Sequence, residues 1–118
     1  MAIAHAKPGE VVNVRPLAGG LATARSETLV KTHSLEVIRV VLPAGKEIAR
    51  HDVPGEITVQ CLEGNVEFRI ADAKRELAVG DFLYLEGADE HSLRANVDSS
   101  LLVTILLEHK CSTAKHDV

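Results

Sequence analysis

Two histidines, His51 and His91, stand where the chain concentrates side chains capable of chemistry. His51 lies six residues beyond Gly45, and Glu56 follows it across the Pro54-Gly55 turn; His91 closes an acidic turn that holds Glu86, Asp89 and Glu90. An imidazole can bind a metal ion or carry a proton near neutral pH. Other reactive groupings are missing from the spacing. Cys61 and Cys111 form neither a disulfide framework nor a CxxC metal pair, so both read as reduced thiols, Cys61 as a small hydrophobe within a strand. Gly19-Gly20 lacks the following lysine and helix of a phosphate-cradling loop. No Ser-His-Asp arrangement can be recognised. His33 reads as a surface side chain at a strand end, and His109, Cys111 and His116 as part of a disordered polar tail.

The elements that must position His51 and His91 are short strands. Alternating Val, Ile and Leu bounded by turn residues predicts strands at about 28–33, 36–42, 57–62, 66–70, 75–79, 82–85, 91–95 and 101–107, with a further strand running into His51. Hairpins are predicted at Glu63-Gly64-Asn65 and at 71–74, and a last turn at Asp98, Ser99 and Ser100. Side chains alternate across a strand, so Ile57, Val59 and Cys61 share one face and Glu56, Thr58 and Gln60 the other. A regular strand would therefore aim Glu56 away from the face of Ile57, unless a bulge at Pro54-Gly55 re-aims it. Upstream, residues 1–27 read as a lead-in. Its Val11, Val12 and Val14 run is a possible edge or swapped strand before Pro16, and one helical turn is possible within 21–26. The barrel proper is expected over 28–107, and 108–118 is a polar tail.

Length and composition narrow the classes. At 118 residues, 46% hydrophobic and 25% charged, the chain fits one all-β domain with an aliphatic core, since its aromatics are only Phe68, Phe82 and Tyr84. A net charge of −4 with scattered basic residues argues against a nucleic-acid partner. No apolar run reaches the length of a membrane span, and the first residues lack the apolar core of a secretory signal, so a cytoplasmic protein is expected.

The stretch from Gly45 to Gly64, GKEIARHDVPGEITVQCLEG, resembles the first signature motif of the cupin superfamily, with Gly45, His51 and Gly64 in place. Val53 stands at the second histidine position and Ile57, beside Glu56, at the glutamate position. The stretch from Gly80 to Ala95, GDFLYLEGADEHSLRA, resembles the second motif through Gly80 and His91, with Glu86, Ala88 and Ala95 at the usual proline, glycine and asparagine positions. The resemblance covers about residues 36–107. It implies an RmlC-like jelly-roll β-barrel, a choice that periodicity alone leaves open.

In cupins with full motifs, three histidines and a glutamate bind a divalent ion such as iron, manganese, nickel, copper or zinc. Carried over by position, the resemblance leaves His51 and His91, with Glu56 as a third ligand if a bulge turns it inward, and Val53, Ile57, Val59, Cys61 and Leu93 as pocket residues. Three functions stay open. The first is a cupin that binds a small molecule in its barrel without catalysis, which Val53 and Ile57 favour by making the pocket apolar. The second is a metal-dependent enzyme of dioxygenase, isomerase or decarboxylase type working through His51 and His91. The third is a sensor domain acting through a partner. A metal-free epimerase with a histidine base is disfavoured, because Asp52 faces away from its neighbour His51 in a strand and stacking aromatics are few. The family resemblance also implies a homodimer through the sheets, for which Val37, Ile38, Val40, Val41 and the LLVTILL run are candidates.

Overall fold

The computed structural model describes residues 5–51, 55–86 and 90–107, with the backbone alone at Arg50 and His51. Val53, Asp52, the 87–89 part of the acidic turn and the 108–118 tail with Cys111 lie outside the described residues. Nine strands are described: β1 (Glu27–Lys31), β2 (Leu35–Leu42), β3 (Glu47–His51), β4 (Ile57–Glu63), β5 (Asn65–Ile70), β6 (Ala73–Ala78), β7 (Phe82–Leu85), β8 (His91–Ala95) and β9 (Ser99–Leu106). They form a five-stranded sheet ordered β1-β2-β9-β4-β7 and a four-stranded sheet ordered β3-β8-β5-β6. All pairings are antiparallel. The result is the all-β jelly-roll architecture that the strand spacing and motifs predicted.

The β-branched and leucine content of β2, β4 and β9 makes them the centre of the larger sheet, where half-buried pleated surfaces favour such residues. β9 pairs with β2 over its whole length, from Leu35↔Leu106 to Leu42↔Ser99, and with β4 on its other side. Inward residues of the two sheets, among them Leu42, Ile57, Val59, Cys61, Val66, Phe68, Leu85 and Leu101, interlock as the core.

Four details differ from the sequence reading. Glu63-Gly64-Asn65 does not close a hairpin: β4 belongs to one sheet and β5 to the other, so this turn carries the chain across the sandwich. Gly64 makes the crossing possible, with φ +90° and no room for a Cβ, which would meet Ser99 Oγ at 2.2 Å. Ser99 and Ser100 are not turn residues but the fully buried start of β9. Ser99 Oγ accepts from Asn65 N at 3.0 Å and donates to Val97 O at 2.7 Å, so its burial comes with its polar atom satisfied. Val11, Val12 and Val14 form no strand; Asn13 Oδ1 accepts from Arg15 N at 2.8 Å, a local turn that competes with sheet pairing, and Val11 is 95% exposed. Lastly, Ile38 and Val40 face the barrel interior, so only Val37 and Val41 of the four residues expected on the outer face remain there.

The lead-in is tied to the larger sheet through residues 15–18. Its helical turn is a 3-10 helix at Ala18–Thr23, slightly upstream of the expected place, with Leu21 buried. Glu63 accepts from Leu17 N at 2.9 Å and Ala18 N at 3.1 Å, the amides at the start of that helix that have no intrahelical acceptor. Ser100 Oγ donates to the same carboxylate at 2.8 Å, and the buried Arg39 donates through Nη2 to Arg15 O at 2.9 Å. β2, β9 and β4 thus present Arg39, Ser100 and Glu63 side by side as an anchor for residues 15–18 on the outer face of the larger sheet.

Candidate functional site

The site is built from the start of β8 and the strand ends beside it. His91 opens β8, opposite Ile70 of β5 and His51 of β3. It is 5% exposed, and its ring lies 6.4 Å from that of Phe68 at an interplanar angle of 30°. Phe68 reaches it because it pairs with Leu93, one inward position further along β8.

The register of β3 explains how His51 comes to stand opposite His91. Ile48 pairs with Leu93 and His51 with His91, so three steps on β3 match two on β8. The extra residue is a bulge. Without it, Arg50 would share the parity of the inward Ile48 and take the place beside His91. This bulge falls before His51; the bulge expected at Pro54-Gly55 involves Pro54, which lies outside the described residues.

Inside the barrel, between the sheets, lies a cavity of about 160 Å³. Ile57 and Val59 of β4, Leu93 of β8, Phe68 of β5, and Leu101, Val103 and Ile105 of β9 form most of its wall, and His91 is the one polar side chain among the described residues lining it. Of the residues expected at the pocket, Ile57, Val59 and Leu93 lie on this wall. Cys61 is buried at the same parity but is not on the cavity wall; its thiol turns to Glu63 O at 3.5 Å and Gly64 O at 3.8 Å. Burial pushes the Cys61 thiol above its ordinary value, with the nearby Asp81 and Glu63 charges adding to the rise against the bond to Glu63 O. Phe68 and the β9 residues were missed by the sequence reading of the site, although the alternation in LLVTILL already marks Leu101, Val103 and Ile105 as one face.

Glu56 does not join the histidines. It is exposed, and Tyr84 donates its hydroxyl to the Glu56 carboxylate. Tyr84 pairs with Thr58 on the outward parity of β4, while Ile57 and Leu85 point inward, so the carboxylate sits outside the barrel. The expectation that Glu56 could complete a ligand set is thereby corrected: strand parity is kept from Glu56 onward. Among the described residues no three His, Cys, Asp or Glu side chains gather as a metal site. Ile57 is 4% exposed and fills the glutamate position with hydrocarbon. The residues present do not fit the four-ligand centre that the resemblance implies.

Neither a protein-family model nor a curated protein matches the sequence. Solved structures do match in shape. A conserved protein of unknown function from Streptococcus pyogenes aligns with TM-score 0.71 at 23% identity, over 92% of this chain and 96% of its own. A cupin superfamily protein from Desulfitobacterium hafniense aligns with TM-score 0.72 at 16% identity, over 87% of this chain and 100% of its own. An RmlC-like cupin from Shewanella frigidimarina gives 0.68 at 17%, over 92% and 96%. With these likenesses added to its two sheets and motif residues, the chain has the jelly-roll fold of the cupin superfamily.

Proposed function

We propose that this protein binds a small molecule inside its barrel, with His91 as the polar contact. The observation that carries the reading is the cavity of about 160 Å³ between the sheets, open on one side, with an aliphatic wall and one imidazole among its described lining residues. Cavities of this kind are a liability for stability, because each lost packing contact costs energy. Retaining one at the centre of the fold, against His91, is what a binding protein requires. Its test is to extract the purified protein with organic solvent and identify what copurifies by mass spectrometry. A stoichiometric compound absent from a Val103→Phe variant supports the reading; a full wall of methyl groups with nothing bound and no uptake from a small-molecule panel sinks it.

A second reading has one observation of its own, the register that sets His51 opposite His91. In it the two imidazoles hold one divalent ion, iron, manganese, nickel, copper or zinc, and leave the remaining coordination positions open. Elemental analysis of untagged protein, compared with a His51→Ala/His91→Ala variant, separates the readings. Near-stoichiometric metal that vanishes in the variant puts a metal-dependent enzyme first.

The protein is further proposed to act as a homodimer through the outer face of the larger sheet. Leu102 and Val37 lie there, and Phe82 and Tyr84 are 64% and 50% exposed on the edge strand β7. Light scattering that finds only monomer at micromolar concentration would defeat this. No helix among the described residues is long and apolar enough to cross a membrane. A cytoplasmic setting is proposed because the buried Cys61 is a free thiol.

A further inference from the structure

Resting on the barrel-binding reading, we propose a ligand class: a neutral molecule of one ring, about six to eight non-hydrogen atoms, carrying a single polar group that meets His91. Size sets the first limit. An aliphatic cavity near 150 Å³ in another protein holds benzene or xenon and stays dry otherwise, and this one measures about 160 Å³. A sugar nucleotide, a flavonoid or a fatty acid exceeds such a volume and would have to project from the cavity's open side.

Charge sets the second limit. Among the described residues lining the cavity there is no Lys, Arg, Asp or Glu. An ionised ligand would leave water without a counter-charge, the most costly transfer a protein interior can impose. Hydrogen-bonding capacity sets the third. The walls contributed by Ile57, Val59, Leu101 and Val103 offer no side-chain donor or acceptor, so a polyol would bury hydroxyls with nothing to bond. Among the described lining residues, only the His91 end offers a side-chain partner for a polar substituent. There the ring of Phe68, stacked near His91, gives a flat surface that favours an aromatic ring over a branched alkyl group.

The test uses the full chain with labelled Ile, Leu and Val methyl groups, titrated with phenol, toluene, benzoate and inositol at pH 7.5 and followed by NMR. Phenol and toluene are expected to move the Ile57, Val59 and Val103 methyl signals saturably, phenol at least threefold more tightly than toluene. Benzoate is expected to bind at least tenfold more weakly than phenol, and inositol to leave the signals unmoved. Val103→Phe and Val40→Phe, two separate fillings of the cavity, should each abolish the phenol shifts while the amide spectrum stays dispersed; the methyl map in the unaltered protein stands even if one variant does not fold. Benzoate or inositol binding at the same methyls with phenol inactive would overturn the ligand class and leave the barrel reading intact. If none of the four probes nor dissolved xenon reaches those methyls, both the class and the barrel reading are overturned.

Discussion

Replacing Glu63 is expected to release the segment before β1 and to destabilise the whole domain, although Glu63 lies far from both histidines in sequence. Its carboxylate accepts from Leu17 N, Ala18 N and Ser100 Oγ at 2.9, 3.1 and 2.8 Å. Charge-assisted hydrogen bonds contribute about 1.5–3 kcal/mol each, which would sum to roughly 5–9 kcal/mol if each were wholly lost and nothing replaced it. Two effects reduce that sum. Ala18 is exposed and Leu17 only half-buried, so their amides can turn to water, and bonds to one carboxylate are not additive. One effect works the other way: Arg39, 6% exposed, loses a nearby counter-charge. Glu63→Ala should therefore cost about 2–4 kcal/mol, and Glu63→Gln, which keeps one carbonyl acceptor but turns an NH2 toward a donor, about 1–2 kcal/mol. At this chain length roughly 4 °C is lost per kcal/mol, so the alanine variant should melt about 8–16 °C lower.

The pH dependence gives a sharper check. Burial pushes the Glu63 carboxyl up, but the bonds from Leu17, Ser100 and Ala18 and the charge of Arg39 outweigh it and hold it below its ordinary 4.5. A depressed folded-state value means that the unfolded chain binds the proton more readily, so the contribution is fully present above about pH 4.5 and is lost as pH falls through the folded value. Urea midpoints of the native protein and Glu63→Gln, compared at pH 7 and then stepwise below pH 5, should converge in acid. A Gln variant as stable as the parent at pH 7, or a gap that does not narrow in acid, would refute the anchoring argument. So would hydrogen exchange showing Leu17 and Ala18 amides unprotected in the parent.

Other substitutions test the frame and the site together. Gly55→Ala places a Cβ 1.7 Å from Leu106 O and Gly64→Ala places one 2.4 Å from Asp98 O at φ +90°, so each should cost more than about 3 kcal/mol in urea denaturation. Gly80→Ala has a similar φ of +91° but nothing within 4 Å, and should cost only the backbone strain of about 1–2 kcal/mol. Equal losses at Gly64 and Gly80 would show that crowding at the crossover is not what selects glycine. In a Cys111→Ser background the raised, buried Cys61 thiol should resist a disulfide reagent in native protein by at least about a hundredfold relative to urea-unfolded protein. Glu56→Gln should change stability by less than about 0.5 kcal/mol and leave ligand or metal content unaltered, since its carboxylate faces Tyr84 outside the barrel; loss of bound metal in that variant would contradict the placement.

Much of the fold is legible because strand parity is a local property. β7 and β8 fall on the predicted 82–85 and 91–95, and the turn at Ala71-Asp72 closes β5 on β6 through Ile70↔Ala73. Ala71 takes φ +52° there, the backbone a two-residue hairpin needs. What is not legible is which strand a given strand pairs with. Gly64-Asn65 has the chemistry of a hairpin, yet it delivers the chain to the opposite sheet, where Ser99 from a distant stretch accepts from Asn65 N and holds the turn. The same blindness hides Glu63. A glutamate before a glycine reads as a solvated turn residue, and only the apposition of β2, β9 and β4 reveals its partners.

The candidate site was legible to the extent that it obeys parity, and the departure from parity is where its chemistry turns. Ile57, Val59 and Leu93 follow regular alternation, and all three line the cavity. His51 was placed through its distance from Gly45, yet parity counted from the inward Ile48 would send it outward and bring Arg50 in. The bulge in β3 instead pairs the backbone of His51 with that of His91. A cationic guanidinium brought inward next to His91 would oppose both a cation and an apolar ligand, whereas a histidine opposite His91 is compatible with either. The inserted residue thus does for β3 what no single side chain could do, changing which residue the strand presents at the His91 position without altering the register of Ile48 with Leu93. A deletion of Ala49 is the corresponding perturbation: it leaves two steps between Ile48 and His51, so pairing becomes regular with Arg50 opposite Ser92 and His51 still opposite His91, and phenol shifts at Ile57 and Val59 should persist. Loss of phenol binding in that deletion, with the amide signals of β2, β4 and β9 unmoved, would show that the extra residue shapes the cavity itself and does not act through register alone.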